Sequence, residues 1–197
     1  MSALTVDHSA ASGHEWDDLV RVWQETDAPE GCKVEIIEGI VTVAPPPSNP
    51  HNDIADLVQR SLYEVISKEW GVYQTLGTAI PSRDGLYIPD IAVAPREVVR
   101  SRKGNYVPAD AAELIVEITS KSNASHDRIK KAAGYAQAGV PLYLLIDGWA
   151  PGGPTVTLFG EPHGAVYRVL HASKFGVPVP LPSPFELDLD TSEFLTD

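Results

Sequence analysis

Two acidic residues sit where a folded chain has little reason to put them. Glu117 interrupts the apolar run of ELIVEIT, and Asp90 follows Pro89 directly, just before IAVA. A carboxylate buried without a partner is costly, so Glu117 needs a cation, a hydrogen bond or a proton, or else a salt bridge to a nearby Lys or Arg. Asp90 is either exposed at a strand start or binds something. Ten residues after Glu117, Asp127 opens a helical pattern that carries Lys130 and Lys131. Acid, acid and lysine on adjacent elements of one sheet make a metal-dependent hydrolytic site. Hard oxygen ligands suit Mg²⁺ or Mn²⁺ better than zinc, and with few protein ligands the ion keeps water and takes up substrate phosphate. Metal-bound water is a usable nucleophile, and a lysine beside it orients that water or offsets charge on the phosphate.

The elements that must position these groups follow from periodicity. Residues 111–119 read as a buried strand and residues 142–147 as another. The segment between them, 126–138, reads as an amphipathic helix stopped by Gly139. Strand–helix–strand implies a locally parallel pair. On the helix, Asp127, Lys131 and Tyr135 recur at every fourth position and share a face, which equally describes a surface salt bridge. Residues 72–80 and 86–94 read as two strands around the Asp84–Gly85 turn, and Pro89 makes the second irregular at Asp90.

Upstream, residues 15–25 form a short amphipathic helix and residues 33–43 two short strands joined at Glu38–Gly39. Glu35 alternates with Val34 and Ile36, so it lies either on a polar outward face or near the metal. APPPSNP is a stiff connection leading into a helix over residues 51–70, with His51 in its first turn as a capping residue or a site residue. Residues 96–108 read as a mobile basic loop. TVTLFG and AVYRVLHA alternate as a hairpin, and a proline-rich acidic tail follows.

Composition sets the outer limits. The chain has 197 residues, 43% hydrophobic and 21% charged, which fits one domain over residues 14–197 behind a flexible lead of residues 1–13. Its one cysteine, Cys32, excludes an internal disulfide and a cysteine zinc site. There is no signal-like N-terminus and no apolar run of roughly 18 residues, so a cytoplasmic location is expected. The net charge of −12 argues against a protein that coats nucleic acid non-specifically. Yet residues 81–131 hold nine basic and seven acidic residues, leaving six and 20 for the rest. That segment is either a solvated basic loop or a place where Arg96, Arg100, Arg102, Lys103, Lys121 and Lys130 meet a DNA backbone.

Taken together, YIPD at residues 87–90, LIVEITS at 114–120 and Asp127–Lys131–Tyr135 followed by GVPLYLLID resemble the Uma family of restriction endonucleases, within the PD-(D/E)XK nuclease superfamily. VEIIEGIV, PPPSNPH and the closing LPSPFELDLDTSEF extend the similarity from about Glu15 onward. The resemblance implies a restriction-endonuclease-like α/β fold: a mixed central sheet flanked by helices, with an extra N-terminal hairpin and C-terminal strands. It implies that Asp90 and Glu117 bind Mg²⁺ or Mn²⁺, that Ile118 adds its backbone carbonyl, and that Lys131 is the catalytic lysine. Glu35, His51 and Tyr135 then become accessory residues. The superfamily's lysine two residues after the second acid is absent, and Thr119 stands there; the resemblance places it at Lys131 instead. Three functions remain open on these grounds: an endonuclease cutting DNA, possible as a homodimer because two strands are cut; a catalytically weak binding or assembly module; and a hydrolase of another phosphoester.

Overall fold

A computed structural model describes residues 14–121 and 124–195. The expected lead of residues 1–13 lies outside the described residues. Two sheets dominate. The larger has six strands in the order β11-β10-β9-β8-β6-β3: β3 (Trp70–Tyr73), β6 (Ile91–Pro95), β8 (Leu114–Ile118), β9 (Leu142–Asp147), β10 (Thr155–His163) and β11 (Val166–Lys174). The second has five, in the order β2-β1-β5-β4-β7: β1 (Lys33–Ile37), β2 (Ile40–Ala44), β4 (Gly77–Ile80), β5 (Gly85–Tyr87) and β7 (Tyr106–Pro108). A small hairpin, β12 (Val179–Leu181) and β13 (Leu187–Leu189), completes the strands. Both sheets are mixed, because β8 and β9 run parallel in one and β4 and β7 in the other.

Periodicity of two explains how the large sheet is filled. Leu114, Val116 and Ile118 of β8, with Leu142, Leu144 and Ile146 of β9, pack into a cluster with Ile54, Val58 and Leu62 of helix α2 (Asn49–Val65). Ile115, Tyr143 and Leu145 point the other way, against Tyr87 and Ile37 of the smaller sheet and Tyr135 of helix α4 (Ala132–Ala138). Both faces of β8 and β9 are therefore covered, which is why these strands read as unbroken apolar runs. Helix α1 (His14–Glu25) covers the outer face of the smaller sheet through Val20 and Trp23 against Ile36 and Leu86.

Four local expectations change. The second helix ends at Val65, not residue 70: Ile66 turns extended, and Trp70 instead pairs with Pro95 in the large sheet. The stretch 72–80 is two strands in different sheets, separated by a turn where Thr75 takes φ 58°. The expected hairpin partner splits likewise, into β5 and β6, with Ile88–Pro89–Asp90 as the crossing between sheets. Residues 96–108 are not simply a loop, since helix α3 (Arg96–Ser101) and β7 occupy much of them.

Gly134 is where α4 comes closest to the smaller sheet. A Cβ there would stand 2.6 Å from the Tyr87 ring, which is fully buried and packs edge-on to Tyr135 at 5.3 Å between centroids. Gly134→Ala ought to gain about 1 kcal/mol in helix propensity but lose roughly 1–3 kcal/mol to overpacking. A net fall in stability on urea unfolding is expected; a stabilised variant would show that the Tyr87 ring yields.

Candidate active site

The site lies where the two sheets and the chain before α4 meet. Asp90 sits on the crossing between β5 and β6, and Glu117 on the neighbouring strand β8, where Ile91 stands opposite Val116. The Ile118 amide donates to Asp90 Oδ2 at 2.7 Å, so the two acidic segments are tied directly. Glu35 comes from β1 of the smaller sheet. It faces away from Ile36, as alternation requires, but into the protein: it is buried, and its Oε1 accepts from the Ile88 amide at 2.7 Å. That bond fixes the crossing two residues before Asp90.

Lys131 lies at the end of a π-helical turn, His126–Lys131, that runs straight into α4. Such wider turns are uncommon and cluster at functional sites. Here the turn points Asp127 and Lys131 inward together. The Lys131 ammonium reaches Glu35 Oε1 at 2.9 Å, Glu117 Oε1 at 3.2 Å and Asp127 Oδ1 at 3.4 Å. Tyr135 also donates to Glu117 Oε1, at 3.0 Å. The side chains expected to act together (Asp90, Glu117, Lys131, Glu35, Tyr135 and His51) are thus all brought to one place.

Two further residues belong to it that the sequence did not single out as site members. Asp127 is one. Lys33 is the other: its ammonium forms a short ion pair with Asp90 Oδ1. The same oxygen lies 3.0 Å from His51 Nε2. Lys33 and Glu35 stand two apart on β1, so the period of a strand was the signal that puts them on one side. All of these groups except Tyr135 line a cleft of about 360 Å³, to which the prolines at positions 45–47 also contribute.

The charges do not balance. Glu35, Asp90, Glu117 and Asp127 are buried against two lysines. Burial pushes the Glu117 carboxyl well above its usual range, and Asp127, Asp90 and Glu35 add to this against the pull of Lys131. Burial likewise raises Asp127 to about 6, with Asp90 and Glu35 contributing. Asp90 goes the other way: burial opposes ionisation, but Lys33 and His51 hold it well below the carboxylate range. Lys131 stays protonated because Glu117, Glu35 and Asp127 outweigh its burial. Hard oxygen donors with surplus negative charge are the donor chemistry that a divalent cation fits. Among the described residues, no three Asp, Glu, His or Cys side chains are grouped so as to hold a metal ion as they stand. The lysines fill the spaces between carboxylates instead.

Thr119, two residues after Glu117, also lines the cleft, but its hydroxyl is engaged by a different carboxylate. Its hydroxyl donates to Asp147 Oδ1 at 2.9 Å, and Arg128 pairs with the same carboxylate at 2.6 and 2.9 Å. This knot joins the ends of β8 and β9 to the π-helical turn. The basic residues divide. Lys121 lines the cleft and lies over the Trp149 ring. Lys130 pairs with Glu38 at 3.0 Å. Arg96 follows the far end of β6, six residues from Asp90 and so about 20 Å away along the strand. Arg100, Arg102 and Lys103 continue from there in and just after α3.

A family model described as "Putative restriction endonuclease", Uma2, matches residues 16–192. The chain belongs to the Uma2 family. A crystal structure from Anabaena variabilis, described as "a putative nuclease belonging to DUF820", has the same fold: TM-score 0.66 at 20% identity, covering 91% of this chain and 96% of that one. The fold is restriction-endonuclease-like. A search of curated proteins found none that matches the chain. Among the described residues, no Uma2 helix here is long and apolar enough to cross a membrane.

The acid cluster sets a pH dependence. Asp127 is raised from 3.8 to about 6, so the folded chain holds this proton more tightly than the unfolded one. The stabilisation is complete below about pH 4 and is lost as pH rises through about 6. Asp127→Asn, which mimics the protonated form, should gain on wild type by roughly 1–3 kcal/mol between about pH 4 and 7. Urea unfolding at stepped pH reads this; parallel curves for the two proteins would contradict it.

Proposed function

We propose that this Uma2 protein is a metal-dependent endonuclease that hydrolyses DNA phosphodiester bonds. The observation that carries the reading is the surplus of buried carboxylates over lysines at an open cleft. Asp90 and Glu117 would hold Mg²⁺ or Mn²⁺, with the Ile118 backbone carbonyl as a further ligand. The ion, when bound, supplies an activated water and neutralises charge on the phosphate. The chain's own groups do the rest. Tyr135 and Lys131 fix Glu117 through one oxygen. His51 and the Ile118 amide fix Asp90. Lys131 also holds Glu35 and Asp127, so the carboxylates stay in place without substrate. DNA as the substrate is supported by the family's description as a restriction endonuclease, and nuclease activity more broadly by that of the similar structure. A homodimer would put one such site on each strand.

The net charge of −12 favours a second reading, a nuclease-fold module that binds or assembles without cutting. Incubation of supercoiled and linear DNA with Mg²⁺ or Mn²⁺ separates the two. Metal-dependent cutting is expected from wild type. Asp90→Asn and Glu117→Gln, which keep shape and remove charge, should each lose about 10²-fold or more, with melting temperatures showing that the fold is retained. Lys131→Ala should lose cutting and stability together. Full activity in a folded Asp90→Asn or Glu117→Gln protein would remove the assignment.

A further inference from the structure

Three lysines line the cleft: Lys121 is exposed and lies over the Trp149 ring, and the two that pair with the cleft carboxylates, Lys33 and Lys131, are not equivalent. A lysine ammonium has three N–H donors. Those of Lys131 face three carboxylates within 3.4 Å, and its side chain is only 5% exposed. Nothing is left over for a phosphate. Lys33 is placed differently. It has one carboxylate, Asp90, and a long contact of 3.4 Å to the Ile88 carbonyl. Its side chain is 19% exposed and lines the cleft beside His51 and Asp90. One N–H therefore remains for an acceptor entering the cleft, without breaking the pair with Asp90.

We propose that Lys33 is the residue that contacts the substrate phosphate in the cleft, while Lys131 is the fixed cation of the carboxylate cluster. This rests on the nuclease reading and names the group that meets its substrate. Geometry supports the division of labour. Lys33, the first residue of β1, keeps part of its side chain exposed, whereas Lys131 is buried against Glu35 and Glu117, the two carboxylates it joins. A compact ammonium meets a phosphate oxygen as a point charge.

The test reads binding, not cutting. A labelled duplex with phosphorothioate linkages, in Mg²⁺, is titrated with protein across a salt series by fluorescence anisotropy. Lys33→Gln should weaken binding about tenfold and flatten the slope of log K against log salt by about one phosphate contact. Lys33→Arg, which keeps the charge, should restore most of the slope. An unchanged slope in Lys33→Gln overturns the proposal, and so does a wild type that does not bind. Should Lys33→Gln fail to fold, amine acetylation of wild type decides: the duplex should protect Lys33, while Lys131 stays unmodified throughout. Acetylation of Lys33 at the same rate with and without duplex overturns it too. The two readings fail separately. Cleavage with an unchanged Lys33→Gln slope removes Lys33 and keeps the nuclease. A lowered slope in a protein that never cuts keeps Lys33 as a phosphate contact and removes the nuclease.

Discussion

The buried ammonium of Lys131 is the interaction on which the site depends. It joins Glu35 from the smaller sheet, Glu117 from the larger one and Asp127 from its own turn. Each of these groups is costly to bury alone. Together they are tolerable, and their mutual attraction fixes how the two sheets and the π-helical turn meet. Removing one carboxylate would relieve crowding; removing the lysine would leave three acids facing one another. That asymmetry follows from counting charges. The cluster, with Asp90 and Lys33 included, carries more acid than base, and the raised Glu117 and Asp127 are how the protein bears it. Charge imbalance held by a rigid frame is a familiar cost of a functional site.

The frame itself is built for this. The large sheet is packed on both faces, by α2 on one and by α4 with the smaller sheet on the other. Its two central strands carry almost nothing polar except Glu117 and Asp147, each with a cationic partner. Asp90 needs no strand to hold it. The Ile118 amide, Lys33 and His51 fix it from three separate elements. Two residues beyond Glu117, Thr119 secures the strand ends through Asp147 and Arg128.

Much of this was legible in the sequence because it broke local rules. Glu117 inside an apolar run and Asp90 after a proline were visible as anomalies, and the parallel β8–β9 pair followed from the intervening helix. What was hidden depended on long-range packing. The stretch 72–80 looks like one strand because Val72, Tyr73, Thr75, Thr78 and Ile80 favour strand; only the turn at Thr75, with a positive φ, sends its halves to different sheets. The helix after Pro50 looks longer because Ile66 continues its stripe, yet the backbone leaves the helix at that residue. Lys33 was missed for a related reason. A strand-end lysine next to a turn is ordinary in sequence, and its meaning comes from Asp90, 57 residues away. Likewise, the basic bias of residues 81–131 does not correspond to one surface, since β6 leads away from Asp90 to Arg96, Arg100 and Arg102 in and just after α3.

The central claim is that this cluster is short of positive charge by an amount that a divalent cation corrects. Calorimetric titration of the metal-free protein with Mn²⁺, in buffers of different ionisation enthalpy, measures both binding and the protons released. Binding with release of about one proton near pH 6 is expected, because Glu117, one of the two acids that take the ion, holds its proton well above the usual carboxylate range, whereas Asp90 is already ionised. Glu117→Gln should lose both the heat and the proton. No binding by wild type, or binding that is unchanged in Glu117→Gln, would contradict the account.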